Sequence, residues 1–309
     1  MRNFIELWTI RARAIKRLMM WHGLSGRLPL YLVPEYPKSG GTWFSQMLSD
    51  ALELPFYRNT SSQPICSSVM SGHLLYSPRF KNVTVVIRDG RDTVVSAYYY
   101  MCFKNEINRQ FGVDRYRKAL QFEDYDDIRS NLPRFIEYLY GEHAKKHFHF
   151  GWGEFIDSWF DQSAPFVRYE DLLTQPVDEL RRIFNSLTGR ELSEERAAEI
   201  VDKYSFRKMS GRKQGQENRT SFVRKGVAGD WKNHFSAEAR EVFHRFAGDQ
   251  LIRAGYEKMI AGSLSIPLHS HLLIDRPHIA KLDDHLPQGG ARGYFIGTVK
   301  KAVFFQMVG

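Results

Sequence analysis

The stretch LPLYLVPEYPKSGGTWFSQML, residues 28–48, decides the fold. Residues 28–36 are apolar enough for a buried strand, PKSGGTW at 37–43 is a loop, and apolar residues recur at helical spacing over 44–52. Strand, loop and helix follow in that order. Glycines in such a turn let backbone N–H groups approach an anion, the helix N-terminus adds its positive dipole, and Lys38, Ser39 and Thr42 supply further donors. With Gly40 and Gly41 between them, these residues read as a phosphate cradle. It is not a Walker A loop, because the G-x-x-x-x-G-K-[ST] order is absent and the lysine precedes the glycines. Taken alone, an ordinary Gly-rich turn reads the same way.

Working outward, KNVTVVIR at 81–88 is β-branched and predicts a second buried strand, followed by a turn at Asp89 and Gly90 and a helix over 92–103. PFVRY at 165–169 predicts a third strand, and 176–187, 194–204 and 236–256 carry helical patterns. Strands alternating with helices imply an α/β fold with a central, mainly parallel sheet flanked by helices. Arg88 at a strand's carboxyl end and Ser96 eight residues on can grip a second phosphate in the crevice where such sheets bind ligands. The competing reading pairs Arg88 with Asp89 or Asp92. Residues 207–230 form a basic loop with little core, in which Arg224, Lys225 and Gly226 can wrap a phosphate or make a solvated turn.

A chain of 309 residues with 43% hydrophobic residues buries a full core. It divides into a basic amphipathic N-terminal helix (1–27), a main domain (28–260) and a C-terminal extension (261–309) with no assignable element. A formal charge of +9 favours an anionic partner: a nucleotide, a polyanion or an acidic membrane face. Over residues 1–23, Phe4, Leu7, Trp8, Ile15, Leu18 and Met19 share one helical face, which suits an anionic membrane surface or packing on the domain itself. The two cysteines, Cys66 and Cys102, make no disulfide framework and no zinc pair, so buried free thiols in a reducing compartment are expected. The histidine pairs 147/149 and 269/271 lack further ligands, and no metal is expected. No run spans a bilayer and no secretory leader is evident, which predicts a soluble, cytoplasmic protein.

Together the three anion-binding segments resemble the PAPS-dependent sulfotransferases, where PAPS is 3′-phosphoadenosine-5′-phosphosulfate and PAP its product. The family's first signature is similar to TYPKSGTTW, here EYPKSGGTW. Its second resembles VIRDGRDTVVSAYYY, with Ser eight positions after Arg, and its third looks like RKGxxGDWKxxF, here RKGVAGDWKNHF at 224–235. The resemblance covers about 30–256 and implies a P-loop-like, three-layer fold. It implies that Lys38, Ser39, Gly40, Gly41, Thr42 and Trp43 hold the 5′-phosphosulfate side, and that Arg88, Ser96, Arg224, Lys225 and Gly226 hold the 3′-phosphate. Tyr169 and Phe206 match positions that contact adenosine. His73 in SGHLL matches the catalytic base of a K-T-H-L-P segment, although Ser71 and Gly72 depart from it.

The implied reaction moves a sulfuryl group from PAPS to an acceptor hydroxyl or amine without a metal, His73 taking the proton and Lys38 steadying the bridging oxygen. A nucleotide kinase-like phosphotransferase and a non-catalytic nucleotide- or polyanion-binding protein are the competing classes. No nucleic-acid partner is expected. Acceptor walls are expected from 59–70, 102–140 and the C-terminal tail, with Tyr98, Tyr99, Tyr100 and Phe103 among them. The basic N-terminal segment leans the acceptor toward a glycan or glycolipid, with a small-molecule alcohol or phenol as the alternative. Residues 232–241 (KNHFSAEARE) resemble a dimerisation motif and suggest a homodimer.

Overall fold

The computed structural model describes Lys16 and residues 19–24, 26–58, 65–108, 110–148 and 150–258. Most of the N-terminal amphipathic helix and the whole 261–309 extension lie outside the described residues.

Among the described residues five strands, β1 (Leu30–Pro34), β2 (Phe56–Tyr57), β3 (Ser68–Gly72), β4 (Val85–Ile87) and β5 (Phe166–Arg168), all pair in parallel. One ladder has the order β1-β3-β2 and the other pairs β4 with β5. Parallel bridges Leu32↔Val83 and Glu35↔Val86 join them, so the order across the sheet is β2-β3-β1-β4-β5. The helices are α1 (Gly41–Leu52), α2 (Gly90–Cys102), α3 (Gln110–Leu120), α4 (Ile128–Glu137), α5 (Trp152–Phe160), α6 (Tyr169–Thr174), α7 (Pro176–Thr188), α8 (Glu194–Lys203), α9 (Phe206–Ser210) and α10 (Ala237–Arg253). A π-helical stretch, Tyr138–Phe148, continues α4, and a 3-10 turn covers Asp230–Asn233.

Because successive side chains on a strand point to opposite faces, the sheet builds two cores. Val33, Val69, Val86 and Val167 bury one face against Phe44 and Leu48 of α1, Ile183 and Phe184 of α7 and Ile200 of α8. Leu30, Leu32, Met70, Val85 and Ile87 face the other layer, with Tyr98 of α2, Phe135 of α4, Trp159 of α5 and Phe243 of α10. Each such side chain contributes roughly 1.5–3 kcal/mol. The result is the expected three-layer α/β fold.

The chain leaves β1 toward β2 on one side and leaves β4 toward β5 on the other. The crevice at the carboxyl ends of β1 and β4 is therefore the topological switch point, where open α/β sheets take ligands. The loop 35–40 and Arg88 both end there.

Some boundaries shift for identifiable reasons. The second helix begins at Gly90 rather than 92, because the Asp89 carboxylate accepts the Arg91 N–H at 2.9 Å and caps it. Residues 68–70, expected to be acceptor-pocket loop, instead form part of β3 beside the central strand, and all of β3 is buried. Of the two cysteines, both free, Cys102 is buried as expected but Cys66 is only half-buried.

Candidate functional site

The cradle is held in a conformation that most side chains disfavour. Lys38 (φ +71°) and Gly40 (φ +92°) both lie in the left-handed region. At Gly40 a Cβ would come 2.6 Å from Cδ2 of Tyr169. That ring stands edge-on to Trp43, 5.9 Å between centroids, and the Trp43 indole N–H donates to the Tyr204 carbonyl at 2.8 Å. The Lys38 ammonium lies 4.1 Å from the Phe222 ring centroid and 4.6 Å from that of Tyr100.

Arg88 laces the three predicted segments together. Its guanidinium donates to the carbonyls of Lys38 (3.3 Å) and Val227 (3.0 Å), covers the Tyr169 ring at 4.2 Å and pairs with Asp92 at 3.5 Å. Asp92 in turn accepts the backbone N–H groups of Gly229 (2.7 Å) and Trp231 (2.9 Å). Arg224 donates to Asp230 at 2.6 Å and pairs with Glu217, and Lys225 donates to Asp230 at 2.5 Å. Burial would raise the Asp230 pKa, but the bonds from His234, Lys225 and Arg224 outweigh it and hold the carboxyl far below the usual range. Gly226 (φ +67°) packs directly under the Phe206 ring.

Since Asp92 is 1% exposed and carries two backbone donors and an arginine, Asp92→Ala leaves buried groups unpaired. The expected cost is about 3 kcal/mol. A melting curve checks it: a loss of several degrees is expected, and an unchanged Tm contradicts this role.

One cavity of about 570 Å³ collects most of the predicted residues. Lys38, Gly40, Thr42 and Trp43 line it from the first segment, Arg88 and Ser96 from the second, and Arg224, Lys225 and Gly226 from the third. Tyr169, Phe206 and His73 complete the convergence. Ser39 and Gly41 do not reach the wall; both are buried behind it. Ser39 Oγ and Arg88 Nε are buried with no hydrogen-bond partner among the described residues.

The cavity is also lined by Ala97, Tyr100, Met101, Ile107, Tyr116 and Leu139, with Glu35, Arg58 and His143 among its polar members. From the stretch 102–140, Ile107, Tyr116 and Leu139 line this cavity. Tyr98, Tyr99 and Phe103 do not line it: Tyr98 and Tyr99 are core residues, and Phe103 packs against that core. Among the described residues, no group of three or more His, Cys, Asp or Glu could hold a metal ion, and no helix is long and apolar enough to cross a membrane.

A family model described as "Sulfotransferase domain" matches residues 56–259, about two thirds of the 309 residues. The chain belongs to the sulfotransferase family. Human Sulfotransferase 2B1 is 25% identical over 277 residues, covering 75% of this chain and 66% of the human protein. Guinea-pig (Cavia porcellus) Sulfotransferase 1E1 is 25% identical over 268 residues, 71% of this chain and 82% of its own. The crystal structure of a mouse sulfotransferase complexed with PAP superposes with a TM-score of 0.55 at 18% identity, covering 78% of this chain and 90% of that one, a likeness of fold.

Within this sulfotransferase, burial sets the titration of the groups around the cavity. His73 Nδ1 lies 3.1 Å from the Glu35 carbonyl. A carbonyl only accepts, so Nδ1 carries the proton in the neutral ring and Nε2 carries the lone pair. Burial lowers the His73 pKa from the usual imidazole value to about 4, with Lys38 adding to the fall. Burial and the nearby Arg88 lower Lys38 to about 7, against the opposing pull of Glu35. Burial raises Glu35 to about 7, although the Gly41 N–H, Lys38 and Arg58 act the other way.

Glu35, Arg58 and His143 are cavity residues that the sequence reading missed. Only Glu35 left a trace, as an acid ending an apolar strand just before the loop.

Proposed function

We propose that this sulfotransferase takes PAPS as its donor and transfers the sulfuryl group to a hydroxyl of a small, largely apolar or aromatic molecule. The observation that carries the donor reading is the meeting of Lys38, Arg88, Arg224 and Lys225, from three separate segments, on one cavity with His73. Two further features suit a nucleotide with phosphates at both ends: the unpartnered Ser39 Oγ and Arg88 Nε, and the close backbone approach at Gly40 and Gly226. The mouse sulfotransferase of similar fold, complexed with PAP, supports the same reading.

PAPS supplies the sulfuryl group. His73 accepts the acceptor's hydroxyl proton at Nε2 as the new S–O bond forms, and Lys38 donates to the bridging oxygen as the old S–O bond breaks, so charge on the departing 5′-phosphate is met by a cation. Tyr169 and Phe206 would contact the adenosine, and Arg88, Ser96, Arg224 and Lys225 would take the 3′-phosphate.

For the acceptor, the alternative named in the sequence reading has the better support. Volumes of about 300–1,000 Å³ are typical of small-molecule sites, and the cavity is lined largely by tyrosines, methionines and aliphatic side chains, with Glu35 and Gln46 the acid and amide among them. In the proposed dimer segment Lys232 and Glu241 are exposed while Phe235 and Ala239 belong to the core, so a second copy would meet mainly its polar residues and Ala237.

Calorimetric titration with PAP and AMP tests the donor assignment. Each charge-assisted contact to the 3′-phosphate contributes about 1.5–3 kcal/mol, and two such contacts give PAP at least a hundredfold preference. Equal affinity for the two nucleotides overturns the assignment of Arg88 and Arg224.

A further inference from the structure

The donor cradle holds an acid that its chemistry does not ask for. Glu35 Oε2 accepts the backbone N–H of Gly41, the first residue of α1, at 2.6 Å. That N–H is one of the groups a helix N-terminus offers an anion. Glu35, only 6% exposed, is among the residues that line the cavity, whereas Gly41 is not. Its fit depends on the missing side chain at 41, because a Cβ there would lie 2.6 Å from Oε2. In the signature TYPKSGTTW, threonine stands at both matching positions. The two departures in EYPKSGGTW touch each other, as a compensating pair does.

We propose that Glu35 is a binding residue of the 5′ side of the donor site, which carries a proton when donor or PAP is bound and donates it as a hydrogen bond to an oxygen of the bound anion. This rests on the PAPS reading above. An ionised carboxylate on the cradle competes with the anion for the Gly41 N–H and repels it; a carboxylic acid does neither and adds a donor. The ordinary carboxylate range would make a protonated form rare near neutrality, but burial raises Glu35 to about 7, and a neighbouring anion raises it further.

The charged and titratable groups facing Glu35 are Lys38 in its own loop, Arg58 beyond β2 and His73 beyond β3. His73, at about 4, stays neutral above pH 6. Lys38, at about 7, also gains a proton when an anion binds, so two groups take up protons above neutrality.

The sign follows: a group whose pKa rises on binding weakens binding as pH climbs past its free value, by up to tenfold per pH unit for each proton. PAP affinity is therefore measured by calorimetry from pH 7 to 9 for the wild type, Glu35→Gln and Lys38→Met. At pH 8, buffers of different ionisation enthalpy count the protons taken up. The expected result is that Glu35→Gln takes up about one proton fewer than the wild type and loses at least tenfold less affinity across the range, while Lys38→Met keeps the Glu35 slope. A double variant, Glu35→Thr with Gly41→Thr, restores the signature and should show the same flattening as Glu35→Gln, which guards against a folding defect in either. Equal proton uptake in wild type and Glu35→Gln overturns the proposal while leaving the donor reading intact. Absence of PAP binding by the folded wild type at every pH overturns the donor reading, and this inference with it.

Discussion

Replacing His73 with alanine is expected to cut turnover by about 10²–10⁴-fold, the usual range for losing a general base, while PAP affinity stays within a few-fold of wild type. The split is expected because the ring meets the chain through the Glu35 carbonyl, whereas Arg88, Arg224 and Lys225 stand on other segments. The pH profile carries a sharper signature. A base must be neutral to accept a proton, so the rate falls as pH drops through its pKa. Burial puts that limb near 4 instead of the 6.5 of a free imidazole. Across pH 5 to 6.5 the wild type should show no histidine limb, and the variant should be depressed by the same factor throughout. An acceptor phenol of low pKa, ionised before it binds, should recover part of the loss since no proton remains to be removed. Near-normal turnover on an unactivated alcohol would exclude His73 as the base. Glu35, an acid that lines the cavity, would then be the residue to test.

Gly40→Ala should cost nearly as much by a different route. At φ +92° a side chain adds backbone strain of roughly 1–2 kcal/mol, and its methyl would press on Tyr169 at 2.6 Å. The tyrosine has nowhere to retreat, being 8% exposed, covered by Arg88 on one face and met edge-on by Trp43. Relief must come from the loop or from Arg88, and both belong to the donor site. PAP affinity is expected to fall tenfold to a hundredfold, with about 1–3 kcal/mol lost from stability to overpacking. Titration of the folded variant checks this, and unchanged PAP affinity would show that the Gly40 backbone does not bear on the donor.

The site was legible where its chemistry depends on local order in the chain. Glycines at a strand-to-helix turn, an arginine closing a strand and a basic pair beside glycine each declare themselves within a few residues. What the sequence concealed depends on distant partners. The strand Ser68–Gly72 has serines and glycine where β-branched residues announce a buried strand. Its closing glycine sits in a tight place, since a Cβ on Gly72 would lie 3.3 Å from the Trp21 ring. Glu35 looked like a charge at a strand end because nothing in its own neighbourhood reveals the space left by Gly41 six residues on. His143 lies in the π-helical stretch that prolongs α4, whose register a 3.6-residue periodicity does not follow.

The position of β1 bears on where this protein can be cut. The recognised sulfotransferase stretch starts at residue 56, yet the middle of the sheet is residues 30–34, flanked by β3 on one side and β4 on the other. A fragment beginning at 56 would lose the shared neighbour of both half-sheets, exposing two open edges whose N–H and C=O groups invite pairing between molecules. The segment ahead of the recognised stretch is thus the keystone of the sheet, and its removal should yield aggregates in place of a smaller enzyme.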